Sequence, residues 1–102
     1  MSRANYEVRL LRVAEDDLTE IISYIASDRP VVAANLIDRF ERKLGLLMDN
    51  PYLGAAPKEA NLASLDYRYL VLDTYLVFYV IEARAIYVHR IVHGARDYTA
   101  LL

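Results

Sequence analysis
Three apolar stretches near the C-terminal end, YRYLVL, YLVFYVIE and AIYVHRIV, are separated only by the pairs Asp73-Thr74 and Ala83-Arg84. Short runs rich in Val, Ile and Tyr, bounded by such breaks, predict β-strands. They fall at about Tyr67–Leu72, Tyr75–Glu82 and Ala85–Val92. Both linking pairs are short enough for two-residue hairpin turns, although neither carries the favoured glycine. A first strand is expected over Tyr6–Val13, where Val8, Leu10, Leu11 and Val13 alternate loosely. From Ala14 the period lengthens. Ala14, Leu18, Ile21, Ile22 and Ile25 share one helical face. Glu15, Asp16 and Asp17 crowd its first turn, where the helix dipole favours acids. Asp28-Arg29-Pro30 closes this helix and opens a second, with Ala33, Leu36, Ile37, Phe40, Leu44 and Leu47 on one face. Asn50-Pro51 ends it. The two helices form an αα-hairpin with a common apolar side. Asn50 to Leu65, with Pro51, Gly54 and Pro57, reads as a loop.

Two-residue turns fix the strand register by counting. Leu72 then pairs with Tyr75, Leu70 with Val77 and Arg68 with Tyr79. On the next hairpin Val80 pairs with Tyr87, Tyr79 with Val88 and Val77 with Arg90. One face carries Arg68, Leu70, Leu72, Tyr75, Val77, Tyr79, Ile81, Ile86, Val88, Arg90 and Val92. The other carries Tyr67, Tyr69, Val71, Leu76, Phe78, Val80, Tyr87, His89 and Ile91, with His93 beyond. The second face is bulkier and more aromatic, so it is expected to pack on the helices. The first would then be an uncovered apolar face larger than monomers usually show, in need of a partner. The competing expectation is that the loop Asn50–Leu65 or the C-terminal tail folds across it.

Length and charge narrow the class. The chain has 102 residues, 56% hydrophobic and 25% charged, which fits one globular domain spanning 1–102. It has no cysteine, so disulfides and thiolate metal sites are excluded. The N-terminus lacks a secretory h-region, and no run of about 18 apolar residues exists. A cytoplasmic protein without membrane association is expected. The formal net charge is −2. A protein binding nucleic acid through phosphates is usually basic, so direct sequence-specific DNA binding is not expected.

Several side chains could carry chemistry. Arg68 and Arg90, on one sheet face, could bind phosphate or carboxylate, or could be rim residues paired with nearby acids. His89 and His93 fall on the same side of a strand, as two metal ligands could, but no third ligand is evident and no metal is expected. An RNA-cleaving site needs a base for the 2′-hydroxyl, an acid for the leaving oxygen and a cation for the phosphorane. His93, Tyr98 and Arg68 or Arg90 could fill those roles. No Gly-rich phosphate loop, nucleophile elbow or paired-carboxylate motif is present, and no cofactor is expected.

The order strand–helix–helix–three strands, with AEDDLTEIISYIA, NPYLG, YRYLVLDTYLVFYVI and RIVHGARDY, resembles the RelE/ParE superfamily of bacterial toxin–antitoxin toxins over nearly the whole chain. The resemblance implies an α+β fold, a small, mostly antiparallel sheet carrying an α-helical hairpin. It also implies a cognate antitoxin, ParD-like and of ribbon–helix–helix type, whose C-terminal segment wraps the toxin. Leu18, Ile22, Leu36, Phe40, Leu70, Val77, Tyr79 and Val88 are the expected antitoxin contacts. RelE-like members are ribosome-dependent mRNA endonucleases, whereas ParE-like members bind and poison DNA gyrase. Arg68 and Arg90 look like the strand arginines of the RNase branch. The ending HGARDY and a chain with only two lysines, Lys43 and Lys58, look like the ParE branch. A gyrase inhibitor is therefore the leading expectation, with Arg68, Arg90, Arg96 and Tyr98 as target contacts. A RelE-like endoribonuclease is the alternative, as is a degenerate toxin kept as a binding module.

Overall fold
The computed structural model describes residues 6–95, 98, 99, 101 and 102. The elements run β1 (Glu7–Leu10), α1 (Arg12–Ala26), α2 (Pro30–Asp49), α3 (Ala60–Ser64), β2 (Arg68–Leu72), β3 (Tyr75–Glu82) and β4 (Ala85–His93). The sheet order is β1-β4-β3-β2, with β1 parallel to β4 and both hairpins antiparallel. This is the expected α+β architecture.

The first strand is shorter than expected because the helix takes over at Arg12. Leu11 is the pivot. Its N–H still donates to the Val88 carbonyl at 2.9 Å, while its own carbonyl accepts from Glu15 at 3.0 Å. Pro30 sits in the first turn of α2, where its missing N–H costs nothing. The segment expected to be a loop contains α3, whose end forms a Schellman motif. Tyr67 N–H donates to Leu62 carbonyl (3.2 Å) and Asp66 N–H to Ala63 carbonyl (3.0 Å), with Asp66 at φ 64°. Tyr67 and Leu62 supply the apolar contact that accompanies this motif, and both are buried.

The β2–β3 register is as counted, and so are Val80–Tyr87 and Tyr79–Val88. Beyond that the count fails. A β-bulge shifts the ladder between Phe78 and Tyr79, so Phe78 faces Arg90 and Val77 faces Ile91 rather than Arg90. The extra residue is His89. After it the faces of β4 exchange: Ile91 joins Val88 and Ile86 in one core, and Val92 turns to the other.

The helices cover the face opposite to the one expected. Leu70, Leu72, Val77, Tyr79, Ile86, Val88 and Ile91 pack with Ala14, Leu36, Phe40 and Leu47 in the main core. Arg68, opposite Tyr79 on this face, turns its charged head to the loop, and the bulge moves Arg90 opposite Phe78, out of this face. The aromatic face is covered too. Leu62 of α3 joins Tyr67, Phe78 and Val92, and Tyr69, Leu76, Val80, Tyr98, Leu101 and Leu102 pack around them. The loop and tail thus fold across the second face, and no whole sheet face is left bare. Among the described residues, no helix is long and apolar enough to cross a membrane.

Candidate functional site
The NPYLG loop is held on the sheet by a buried phenol. Tyr79, fully buried on β3, donates its hydroxyl hydrogen to the Pro51 carbonyl and accepts the Gly54 N–H, both at 2.8 Å. Burial raises its pKa, with the Gly54 N–H and Arg68 acting the other way, so it stays a neutral phenol. Gly54 is required by space. A Cβ there would lie 2.6 Å from both the Tyr69 carbonyl oxygen and the Tyr79 hydroxyl. Ala55 and Tyr69 exchange two backbone hydrogen bonds, at 3.0 and 2.9 Å, forming an antiparallel bridge on the edge of β2. Arg68 completes this corner. Its Nη1 donates to the Gly54 carbonyl at 2.5 Å, and its guanidinium lies 4.9 Å from the Tyr52 ring centroid, a cation–π contact.

Arg90 has a different role on β4. Its Nε and Nη2 form a fork on the two Asp17 oxygens at 2.7 and 2.9 Å, and both side chains are more than four-fifths buried. Hydrogen bonding to Asp17 raises the Arg90 pKa further, keeping the charge fixed. Asp17 Oδ2 also accepts the Ile91 N–H at 3.0 Å, satisfying backbone of β4 beyond the end of β1, whose pairing stops at Leu10 and Val88. Arg90 Nη1 donates to the Leu101 carbonyl at 3.2 Å. One ion pair therefore joins α1, β4 and the tail.

The remaining candidates are also engaged. His89 shares a 3.0 Å hydrogen bond with the Tyr67 hydroxyl and meets that ring edge-on. Burial lowers its pKa, with Glu82 acting weakly the other way. His93 accepts the Ala95 N–H at Nδ1 (3.1 Å) and lies edge-on to Tyr75. The bulge at His89 changes the phase of the strand before His93, and the two rings meet different neighbours, so they do not form the expected pair. Among the described residues, no group of three or more His, Asp or Glu converges as a metal site. Tyr98 donates to Glu59 Oε2 at 3.0 Å and packs on Phe78. Arg68, Arg90, His93 and Tyr98 thus have four separate sets of partners. Arg96 lies outside the described residues.

Of the eight expected partner contacts, Leu36, Phe40, Leu70, Val77, Tyr79 and Val88 are buried in the main core. They form the floor beneath a surface rather than the surface itself. Leu18 and Ile22 are half-buried on α1. The apolar groups that do face outward on the helical hairpin include Tyr24, Val31, Val32 and Leu46. A cleft of about 600 Å³ lies between the α1–α2 turn and the β2–β3 turn, lined by Tyr24, Val32, Leu36, Arg39, Asp73 and Tyr75 among others. Arg39 Nη2 holds Asp73 Oδ2 at 2.6 Å in its wall. Sequence patterning missed Asp17, Gly54, Glu59 and Tyr67. Asp17 carried a signal, an acid in a first turn, but one that pointed to the dipole rather than to β4.

The geometry agrees with what known proteins show. The fold matches a structure described as the chromosomal ParDE system from P. aeruginosa, with TM-score 0.71 and 20% identity over 90% of this chain and 98% of that one. It also matches the toxin–antitoxin complex RelBE2 from Mycobacterium tuberculosis, with TM-score 0.61 and 21% identity over 87% of this chain and 98% of that one. At these identities the likeness speaks for the fold. No curated protein matches the chain. The family model for the ParE toxin of the type II toxin–antitoxin system parDE matches residues 8–98, from the first strand to the docked Tyr98. With nearly every element inside that match, the chain belongs to the ParE toxin family of type II toxin–antitoxin systems.

Proposed function
We propose that this chain is a toxin neutralised by a cognate antitoxin, ParD-like with a ribbon–helix–helix part, and that it acts by binding DNA gyrase. The observation that carries the reading is the engagement of every candidate for RNA cleavage. Arg68 binds loop carbonyls, Arg90 binds Asp17 and Leu101, His93 binds Ala95, and Tyr98 binds Glu59. Proton transfer to and from an RNA needs an acid and a base converging on one phosphate, and these four do not converge. A binding mechanism needs no such convergence. Of the four groups expected to touch the target, three serve the fold, which leaves Arg96 as the proposed contact, with its forked and permanent charge.

The test pairs a gyrase supercoiling assay on the purified protein with a map of mRNA ends in expressing cells. Supercoiling is expected to be inhibited, mRNA ends to be unchanged, and His93→Gln to retain growth arrest. Arg96→Ala should weaken inhibition with little change in melting temperature. New mRNA ends that vanish with His93→Gln, in a folded protein, would put the ribosome-dependent endonuclease first.

A further inference from the structure
β3 extends past the start of β2. Their pairing stops at Arg68 opposite Tyr79, and β3 continues to Glu82. By count Asp66 would lie opposite Ile81, but its φ of 64° belongs to the Schellman turn and carries the chain away to α3. Backbone groups along an antiparallel strand alternate between its two sides. Glu82 and Ala85 close the two-residue turn and Val80 pairs with Tyr87, so Glu82 and Val80 bond across to β4. The N–H and C=O of Ile81 therefore point to the opposite side, where β2 has ended. Among the described residues no hydrogen bond reaches either group there.

A pocket of about 370 Å³ occupies that position, lined by Tyr52, Ala56, Ala63, Asp66, Arg68 and Ile81 among others. Two opposite charges flank the free backbone groups. Arg68 holds the loop through Nη1 alone, on the Gly54 and Tyr52 carbonyls, and among the described residues its Nε and Nη2 make no hydrogen bond. Asp66 has no ion pair among them, with Arg68 or with any other cation. The pocket thus offers a cation and an N–H for an anion, and a carboxylate and a C=O for a cation. The N–H and C=O of one extended residue lie side by side. So do the ammonium and carboxylate carried on one carbon. Ala56, Ala63 and the Tyr52 ring supply the apolar part of the lining.

We propose that this pocket binds a free α-amino acid with an aliphatic side chain. Its carboxylate accepts from the Ile81 N–H and from Arg68, and its ammonium donates to the Ile81 carbonyl and to Asp66. The side chain lies against Ala56, Ala63 and Tyr52. A peptide terminus brings one of the two charges, so the pairing of both selects the free amino acid. The bound molecule would tie the NPYLG loop, the end of α3 and β3 together. The proposal stands apart from the gyrase reading and uses none of its contacts.

The probe is L-leucine, with isocaproate and isoamylamine as half-ligands that each lack one charge. L-leucine is expected to shift the Ile81 and Arg68 amide signals in a saturable NMR titration and to slow exchange of the Ile81 amide. Each half-ligand should bind about tenfold more weakly, having lost its charge-assisted bonds at one end. Asp66→Asn keeps a residue that tolerates the left-handed backbone and removes the charge. It should weaken L-leucine about tenfold and leave isocaproate unchanged. Arg68→Gln should weaken both L-leucine and isocaproate. Because Arg68 also holds Gly54, the Asp66 variant keeps the test independent of the loop. A titration flat to the solubility limit of leucine would overturn the proposal. So would half-ligands that bind as tightly as L-leucine, or an Asp66→Asn protein with unchanged affinity for it.

Discussion
Single residues carry backbone strain in this fold, and it is placed at the turns. Asp73 and Ala83 each open a two-residue hairpin turn at positive φ, 55° and 53°. Aspartate tolerates that region because its side chain can bond locally, and Arg39 holds it there. Ala83 has no such help. Ala83→Gly is therefore expected to stabilise the protein by about 0.5–1 kcal/mol, the relieved strain less the added unfolded-state entropy. In a domain of this size that is roughly 3–6 °C in thermal midpoint, readable by calorimetry. The opposite sign is expected at Gly54, where the approaching atoms are a carbonyl oxygen and the hydroxyl that tethers the loop. Gly54→Ala should cost about 3 kcal/mol by overpacking. Tyr79→Phe, which leaves the Gly54 N–H and Pro51 carbonyl without their partner, should cost about 2 kcal/mol. Urea midpoints of the three variants rank these effects, and a neutral Gly54→Ala would mean that the NPYLG loop is not fixed as described.

At the scale of elements, the Asp17–Arg90 fork decides how α1, β4 and the tail sit together. Asp17→Asn keeps the shape but removes the charge and leaves a mostly buried guanidinium short of a counter-ion. A loss of about 2 kcal/mol is expected, together with faster amide exchange at Ile91 and Leu101. Unchanged exchange at Ile91 would show that the carboxylate does not hold that amide. The same fork explains what could be read from the chain. Element types and the β2–β3 register followed from period and turn length, both local properties. Arg68 and Arg90 stood out as charges in apolar strands, but their partners did not. Asp17 lies 73 positions from Arg90, and no period links them. The bulge was hidden too, since neither turn length nor hydrophobic period marks an extra residue at His89. Choosing the covered face by side-chain bulk also failed. The aromatic face does not need long helices when α3 and the tail supply Leu62, Tyr98, Leu101 and Leu102.

As a whole, the molecule is one sheet between two unequal cores, the larger under the helical hairpin and the smaller under α3 and the tail. Against the smaller core, bonded to Tyr67, sits a histidine whose titration burial disturbs. His89 has its pKa lowered from 6.5, so the unfolded chain takes up a proton there more readily than the folded one. Its contribution to stability is full above pH 6.5 and is lost as the pH falls through the lowered folded value. The melting temperature should therefore decline between pH 7 and 5, and His89→Gln should flatten that part of the profile. A wild-type curve already flat across this window would mean that water reaches the imidazole and that the smaller core is open.

The bulge at His89 has a consequence for anyone recombining this chain with a relative. It divides β4 into two segments read in opposite phase. Up to Val88 the even positions supply the main core, and after His89 Ile91 does so while Val92 serves the other. A crossover anywhere before Ile86 or after Val92 transfers both phases together and keeps each side chain in its own core. Deleting His89 would restore a regular ladder, with Ile91 still opposite Val77 and Val92 still opposite Leu76. It would also remove the imidazole that bonds Tyr67. A relative with one residue fewer in this strand can therefore fill both cores with the same positions, and the alignment should carry its gap at His89.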